Sequence, residues 1–499
     1  YEGGMRTMTE TAKKKRGMPS SFTILLALLA IVAVITVIVS GTSGGAVTAA
    51  RLSDFCTAPI LGFADALPVC LFVMILGGFL GMMTETGALD NGIAVLVQKL
   101  KGNEIMLVPV LMLIFSLGGT TYGMCEETVP FYALLAATMM AAGFDPMVGA
   151  ATVLLGAGCG CLGSTVNPFA VGAAVDALTG VGIEVNQSII IGLGAVLWIV
   201  TTAMSIFFVM NYAKKVKADK GSTILSMQEL KDAEEAHGKA ASEVHKEVKL
   251  TGRQKGVLIA FAFTFVVMIV GFIPLADLNE GVANFFDAGA VYDADGNTVV
   301  QGWSALITGL PIGQWYFDEA STWFFLMAVL IGIIGGLSEK QIVNTFITGA
   351  ADMMSVVLVI ALARGISVLM ANTGLDVYVL DAAANALAGL SGVIFAPMSF
   401  LVYFGLSFLI PSTSGMATVS MPIMGPLAVK LGFSPEVMVM IFSAAIGVVN
   451  LFTPTSGAIM GGLALAKIEW TTCLKFALKL IVALSVVCAV ILTVACVLL

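Results

Sequence analysis

The sequence predicts an all-α polytopic membrane protein made of two inverted-topology repeats. Three observations carry that expectation. Of 499 residues, 58% are apolar and only 11% charged, whereas a soluble domain is about one-quarter charged. Uncharged stretches such as 21–40 and 189–212 match the roughly 20 helical residues that cross a bilayer core, and they are unlike the short alternating segments of a β-barrel. Third, the chain repeats itself. TTYGMCEETVP (120–130) and STSGMATVSMP (412–422) pair Thr121 with Thr413, Gly123 with Gly415, Met124 with Met416 and Pro130 with Pro422.

Along the chain, YEGG before Met5 reads as an appended remnant and 1–20 as a cytoplasmic tail. Lys13, Lys14, Lys15 and Arg16 precede the span 21–40, which is too long for a signal peptide and is retained. A first transmembrane half covers 21–212. Residues 213–253 hold nine Lys/Arg and seven Asp/Glu, a charged linker placed in the cytoplasm with the N-terminus by the positive-inside rule. The second half, 254–499, opens with spans 254–275 and 321–337. The acidic loop VYDADGNTVVQG (291–302) lies outside, where Asp295-Gly296 marks a hairpin.

The repeat unit covers about 66–210 and again 352–499. Thr86-Gly87 matches Thr373-Gly374, Asp90 matches Asp376, and GFDPMV (143–148) matches GFSPEV (432–437). One span precedes the first unit, while two separate the linker from the second, so the units enter from opposite sides and the C-terminus lies outside. Lys99 and Lys101 mark the first connector as cytoplasmic, and Lys430 is an exception on the outer side. Inverted repeats are a secondary-transporter architecture.

Each unit carries two interruptions: GGTTYGMCEETVP then GSTVNPFAVG (163–172), and IPSTSGM then NLFTPTSG (450–457). Gly, Pro, Ser and Thr unwind helices and free backbone groups, which hydrocarbon does not tolerate. Breaks persist where protein, water or a ligand satisfies them, so four in register predict a shared binding site. Half-helix N-termini there attract anions, and freed carbonyls with hydroxyl oxygens suit sodium. A structural reading, with Ser/Thr bonded back to their own helices, stands beside this for any single break.

Glu126-Glu127 is the most pointed signal, because carboxylates inside a membrane are costly and default to function over capping or ion pairing. Two of them suit a cationic substrate or a coupling proton. Arg364 is the base within an apolar span, and it either neutralises a glutamate, binds a substrate carboxylate or pairs internally. Of eight cysteines, seven fall in apolar segments as small buried hydrophobes, Cys56 being the exception, and the pair Cys159/Cys161 has no His to complete a metal site. His237 and His245 both sit in the linker, which removes histidine catalysis from the membrane. No HExxH, Gly-x-Gly-Asp or Ser–His arrangement supports an embedded enzyme, and no filter-like motif supports a channel.

GGTTYGMCEETVPFY with GAGCGCLGSTVNPFA, and PSTSGMATVSMPIMGPLA with NLFTPTSGAIMGGLALAKI, resemble the YfcC-type carriers. These are grouped with bacterial basic amino-acid (arginine–ornithine) antiporters and, more distantly, with anaerobic four-carbon dicarboxylate carriers. The wider ion transporter superfamily implies re-entrant hairpins whose tips meet unwound helices, a homodimer, and an elevator motion in a bacterial inner membrane. Carried over by position, the tips are Thr120–Glu127 and Pro411–Met416, and the breaks are Ser164–Pro168 and Asn450–Ser456. The expectation is arginine/ornithine exchange without a cofactor, with a dicarboxylate carrier as the alternative. Glu126 or Glu127 would pair with the cation. Thr121, Ser412, Thr413 and Ser414 would hold the α-carboxylate, Thr120 would join the substrate site, and Asn167, Thr165, Asn450, Thr453 and Thr455 would line the site or an ion position. Sodium or proton coupling would fall to Glu126, Glu127, Ser164, Thr165, Asn167 and Ser456.

Overall fold

The computed structural model describes residues 21–499 apart from 90, 93–94, 96–102, 244–248, 274, 279, 294–297 and 411. The expectations for 1–20, Asp90, Lys99, Lys101, His245, the Asp295-Gly296 turn and Pro411 lie outside the described residues. Among the described residues, eight helices are long and apolar enough to cross a membrane. The acidic loop carries a small antiparallel ribbon, β1 (Val291–Tyr292) with β2 (Thr298–Val300).

The first half comprises α1 (Ser21–Ser40), α2 (Leu52–Asp65), α3 (Leu67–Glu85), α4 (Leu107–Tyr122), α5 (Val129–Ala141), α6 (Pro146–Leu162), α7 (Ala173–Thr179) and α8 (Gln187–Ala218). The linker contributes α9 (Met227–Glu243), which packs on α5, and α10 (Gly252–Phe272) returns the chain to the bilayer. The second half then runs α11 (Phe317–Gly335), α12 (Glu339–Asp352), α13 (Met354–Thr373), α14 (Leu375–Leu387), α15 (Gly392–Leu409), α16 (Thr413–Lys430), α17 (Pro435–Val449), α18 (Gly457–Leu465) and α19 (Trp470–Leu498).

The two halves repeat in local chemistry. After α3 and α13 the chain turns at Gly87 (φ 62°) and Gly374 (φ 72°), left-handed positions that glycine adopts at no steric cost. Gly143 (φ 86°) and Gly432 (φ 82°) precede the N-caps Asp145 and Ser434, whose side chains accept from the Val148 and Val437 amides at 3.0 and 3.3 Å.

Hydrogen bonds also show the inversion. On the linker face, Asp145 at the start of α6 accepts from the Tyr212 and Thr223 hydroxyls, both at 2.6 Å. The Glu469 amide before α19 donates to Glu229 of α9 at 2.9 Å. On the other face, the Asn186 amide before α8 donates to Glu436 at the start of α17, at 2.8 Å. Thus α6 starts at the linker face and its counterpart α17 starts at the opposite one.

The correspondence begins earlier than residues 66 and 352. GFAD ending α2 (62–65) matches GAAD ending α12 (349–352), α2 packs on α13 as α12 packs on α3, and α1 meets α13 as α11 meets α3. Both crossings need glycine. A Cβ on Gly62 would lie 2.3 Å from the Ala361 carbonyl oxygen, and one on Gly349 would lie 2.4 Å from that of Gly77. The expected span 321–337 therefore belongs to the second unit as α11, and α10 is the span without a counterpart. Helices facing lipid need only be apolar, so α1 and α11 share a place without sharing a sequence.

Candidate functional site

Helices α4 and α5 form one hairpin with its tip at 123–128; α15 and α16 form the other, with Ile410 and Ser412 at its tip. The broken helices are α6/α7 and α17/α18. All four interruptions line one cavity of about 470 Å³, walled also by α2, α3, α13 and the start of α11.

The first hairpin is clamped to the first break. The Thr165 amide and hydroxyl donate to the Thr120 carbonyl at 2.8 and 3.0 Å. The Thr120 hydroxyl donates to the Gly163 carbonyl at 2.6 Å, so backbone groups freed where α6 ends find partners across the gap. Asn167 caps the restarted helix by accepting from the Phe169 and Ala170 amides at 2.9 and 3.3 Å, and its amide donates to Ser164 at 2.9 Å. Gly123 takes φ 81° at the tip, and a Cβ there would lie 2.5 Å from Asn167 Oδ1.

The second break is satisfied differently. Thr453 and Thr455 join hydroxyls at 2.7 Å, and Ser412 and Ser456 cap α16 and α18 by accepting from the Gly415 and Ile459 amides. The N-termini of both helices therefore face the cavity. Gly415 lies inside α16 rather than at a left-handed turn. The repeated TTYGM and STSGM thus occupy corresponding hairpins but not corresponding backbone conformations.

Of the residues singled out from sequence, Glu126, Asn167, Ser412, Thr413, Ser414, Asn450, Thr455 and Ser456 line the cavity. Six others do not. The Thr121 hydroxyl turns back to the Leu117 carbonyl at 2.6 Å. Thr120 and Thr165 are spent on the clamp, and Ser164 donates to Cys161 at 2.6 Å. Thr453 sits behind Thr455. Glu127 is only 1% exposed, and its carboxylate accepts from the Cys125 amide at 3.0 Å. A run of polar residues on a turn alternates between facing the space and tying the turn, and sequence gives no way to tell which does which. Among the described residues no group of three or more His, Cys, Asp or Glu gathers as a metal site; Cys159 instead meets the Ser205 hydroxyl at 3.0 Å.

Charge inside the cavity is lopsided. Its ionisable carboxylates are Asp65, Glu126 and Asp176, set against Arg364. Arg364 Nε donates to Asp65 Oδ2 at 3.1 Å, with the two side chains 25% and 53% exposed. So exposed a pair adds little stability, but it leaves the guanidinium already occupied. Asp65, Asp176, Tyr132, Tyr316 and Ser443 also line the space and were missed from sequence. The GFAD/GAAD repeat was the signal for Asp65, and nothing local marks the others.

The family model described as the C4-dicarboxylate anaerobic carrier, DcuC, matches residues 50–497. The chain belongs to the DcuC family. This DcuC-family protein is a membrane transporter with a small-molecule substrate. An uncharacterized protein of Haemophilus influenzae is 28% identical over 445 residues, 89% of this chain and 78% of the relative. The putative basic amino acid antiporter YfcC of Escherichia coli is 27% identical over 440 residues, 86% of this chain and 77% of its own length. Two solved structures are also similar. MtrF of Neisseria gonorrhoeae, described among antimetabolite efflux pumps, has a TM-score of 0.44 at 16% identity and covers 97% of this chain and 96% of its own. The YdaH transporter of Alcanivorax borkumensis has a TM-score of 0.45 at 15% identity, covering 95% and 98%.

Proposed function

We propose that the protein exchanges basic amino acids, arginine and ornithine in the first instance, across the inner membrane of a bacterium. The observation that carries this reading is the cavity's excess of carboxylates, with its guanidinium already paired to Asp65. A cationic side chain gains from Glu126 and Asp176, while the first turns of α16 and α18, with Ser412, Thr413 and Ser414, offer donors for an α-carboxylate. The YfcC relative is itself named a putative basic amino acid antiporter, which supports the choice. Sodium or proton coupling belongs to the same reading, at Glu126, Asn167 and Ser456.

The motion that fits is an elevator. The two hairpins and broken helices travel as one body past a scaffold of α1–α3 and α10–α13, in a homodimer with the N-terminus and linker cytoplasmic and the C-terminus outside. Purified protein in liposomes preloaded with ornithine will take up labelled arginine. Uptake no greater than in empty vesicles rejects the substrate.

The family description favours a second reading, a four-carbon dicarboxylate, which would compete with Asp65 for Arg364, the cation that lines the cavity. Arg364→Gln decides between them. Losing a positive charge lowers the KM for a cation by about two- to tenfold and abolishes binding of a dianion.

A further inference from the structure

We infer that Asp352 is the counterpart of Asp65 in the opposite-facing state of this transporter, lining the solute cavity when it opens toward the linker. The two aspartates occupy the same place in the two units. Each is the last residue of its helix, α2 or α12, in GFAD and GAAD. Each lies three residues past a glycine, Gly62 or Gly349, that presses against the backbone of the other unit. Each is exposed and precedes a buried break residue, Ala66 or Met353.

Asp65 ends α2, and the next helix α3 runs on to the linker face, where the Thr86 carbonyl accepts from Gln254 at 3.5 Å; the present cavity includes Asp65. Asp352 ends α12, which starts at the linker face, and the cavity excludes it. A separate apolar cluster holds Ala66, Val69 and Val73 together with their repeat counterparts Met353, Val356 and Ile360. The same cluster takes in Val129 and Ala458, the first residues in or beside the starts of α5 and α18. Symmetry-related residues at the starts of α3 and α13 thus share one apolar cluster with the starts of α5 and α18. In a repeat of inverted topology, exchanging the conformations of the two units generates the other access state. That exchange carries the wall now made by Asp65 onto Asp352.

The exchange is not electrically even. Arg364 of α13 corresponds to Gly77 of α3, by the alignment that places Gly365 on Gly78 and Thr373 on Thr86. Asp65 is held by a guanidinium, whereas among the described residues no ion pair holds Asp352. A solute facing the linker side therefore meets an uncompensated carboxylate that it does not meet on the other side.

The inference rests on the transport reading for sidedness but not on the identity of the solute, and two assays separate the two. Asp65→Cys and Asp352→Cys carriers in oriented liposomes are treated with an impermeant thiol reagent from either face, scored above the wild-type background. Position 352 will label from the linker face and position 65 from the opposite face. Both labelling from one face, or neither labelling, overturns the inference whatever the protein carries. In exchange assays Asp352→Asn will raise the KM by about fivefold or more for solute offered at the linker face, with a smaller change at the other face. Asp65→Asn will show the reverse sidedness. Equal effects at both faces overturn the inference. Correct labelling with no amino-acid exchange overturns the proposed substrate and leaves Asp352 in place.

Discussion

Thr120→Val tests the clamp that closes the first break. The substitution keeps the volume and branching and removes only a hydroxyl. Thr120 is 2% exposed, and its hydroxyl donates to the Gly163 carbonyl at 2.6 Å. Deleting the donor strands a buried carbonyl at a helix end, which costs about 1–3 kcal/mol. The two bonds from Thr165 to the Thr120 carbonyl survive, so the hairpin stays docked and the loss is confined to the hydroxyl's bond to Gly163 and its longer bond to the Thr165 hydroxyl at 3.3 Å. Thr121→Val is the matched control. Its hydroxyl returns to Leu117 in the same helix, and removing such a bond changes stability by less than about 0.5 kcal/mol. Five cysteines, at 70, 159, 473, 488 and 496, are buried, so a thiol-reactive dye reports unfolding on heating in detergent. Thr120→Val will melt clearly lower than wild type and Thr121→Val will match it. Equal melting of the two variants would refute the division between clamp and helix hydroxyls.

Other expectations follow from the same geometry. Gly123→Ala forces a side chain into φ 81° and against the Asn167 amide, costing about 1–3 kcal/mol; Gly415→Ala, inside a helix, will be tolerated far better, and paired thermal melts check this. Burial lowers the His237 pKa from 6.5, opposed by its bond to the Leu465 carbonyl and reinforced by Lys467. A depressed pKa means the undocked helix binds protons first. Docking of α9 is therefore undisturbed above about pH 6.5 and weakens as pH falls below it, seen as faster hydrogen exchange in 227–243; His237→Gln will remove that pH dependence. Glu126→Gln will raise the KM for a basic amino acid about tenfold or more while leaving melting near wild type. Glu127→Gln will act mainly on stability through the Cys125 amide, and a reversal of the two phenotypes would exchange their roles.

Composition and the length of uncharged runs were enough to determine that the chain is helical and lives in a bilayer, because hydrocarbon accepts few other solutions. Spacing of glycine, proline and hydroxyl residues located the four breaks, and paired motifs such as GFDPMV and GFSPEV exposed the repeat. These are local properties, fixed by what a backbone can do within a few residues. Tertiary structure alone decided which polar residues face the cavity. Thr120 and Thr121 are neighbours of the same type, yet one ties two segments together and the other bonds back to its own helix. Asp65 and Asp176 join Glu126 only because helices distant in sequence cross there. Arg364 likewise reads from sequence as an isolated charge and is, in space, one member of a pair. Contacts between α2 and α13 depend on both helices at once, and a linear chain records only one of them at a time.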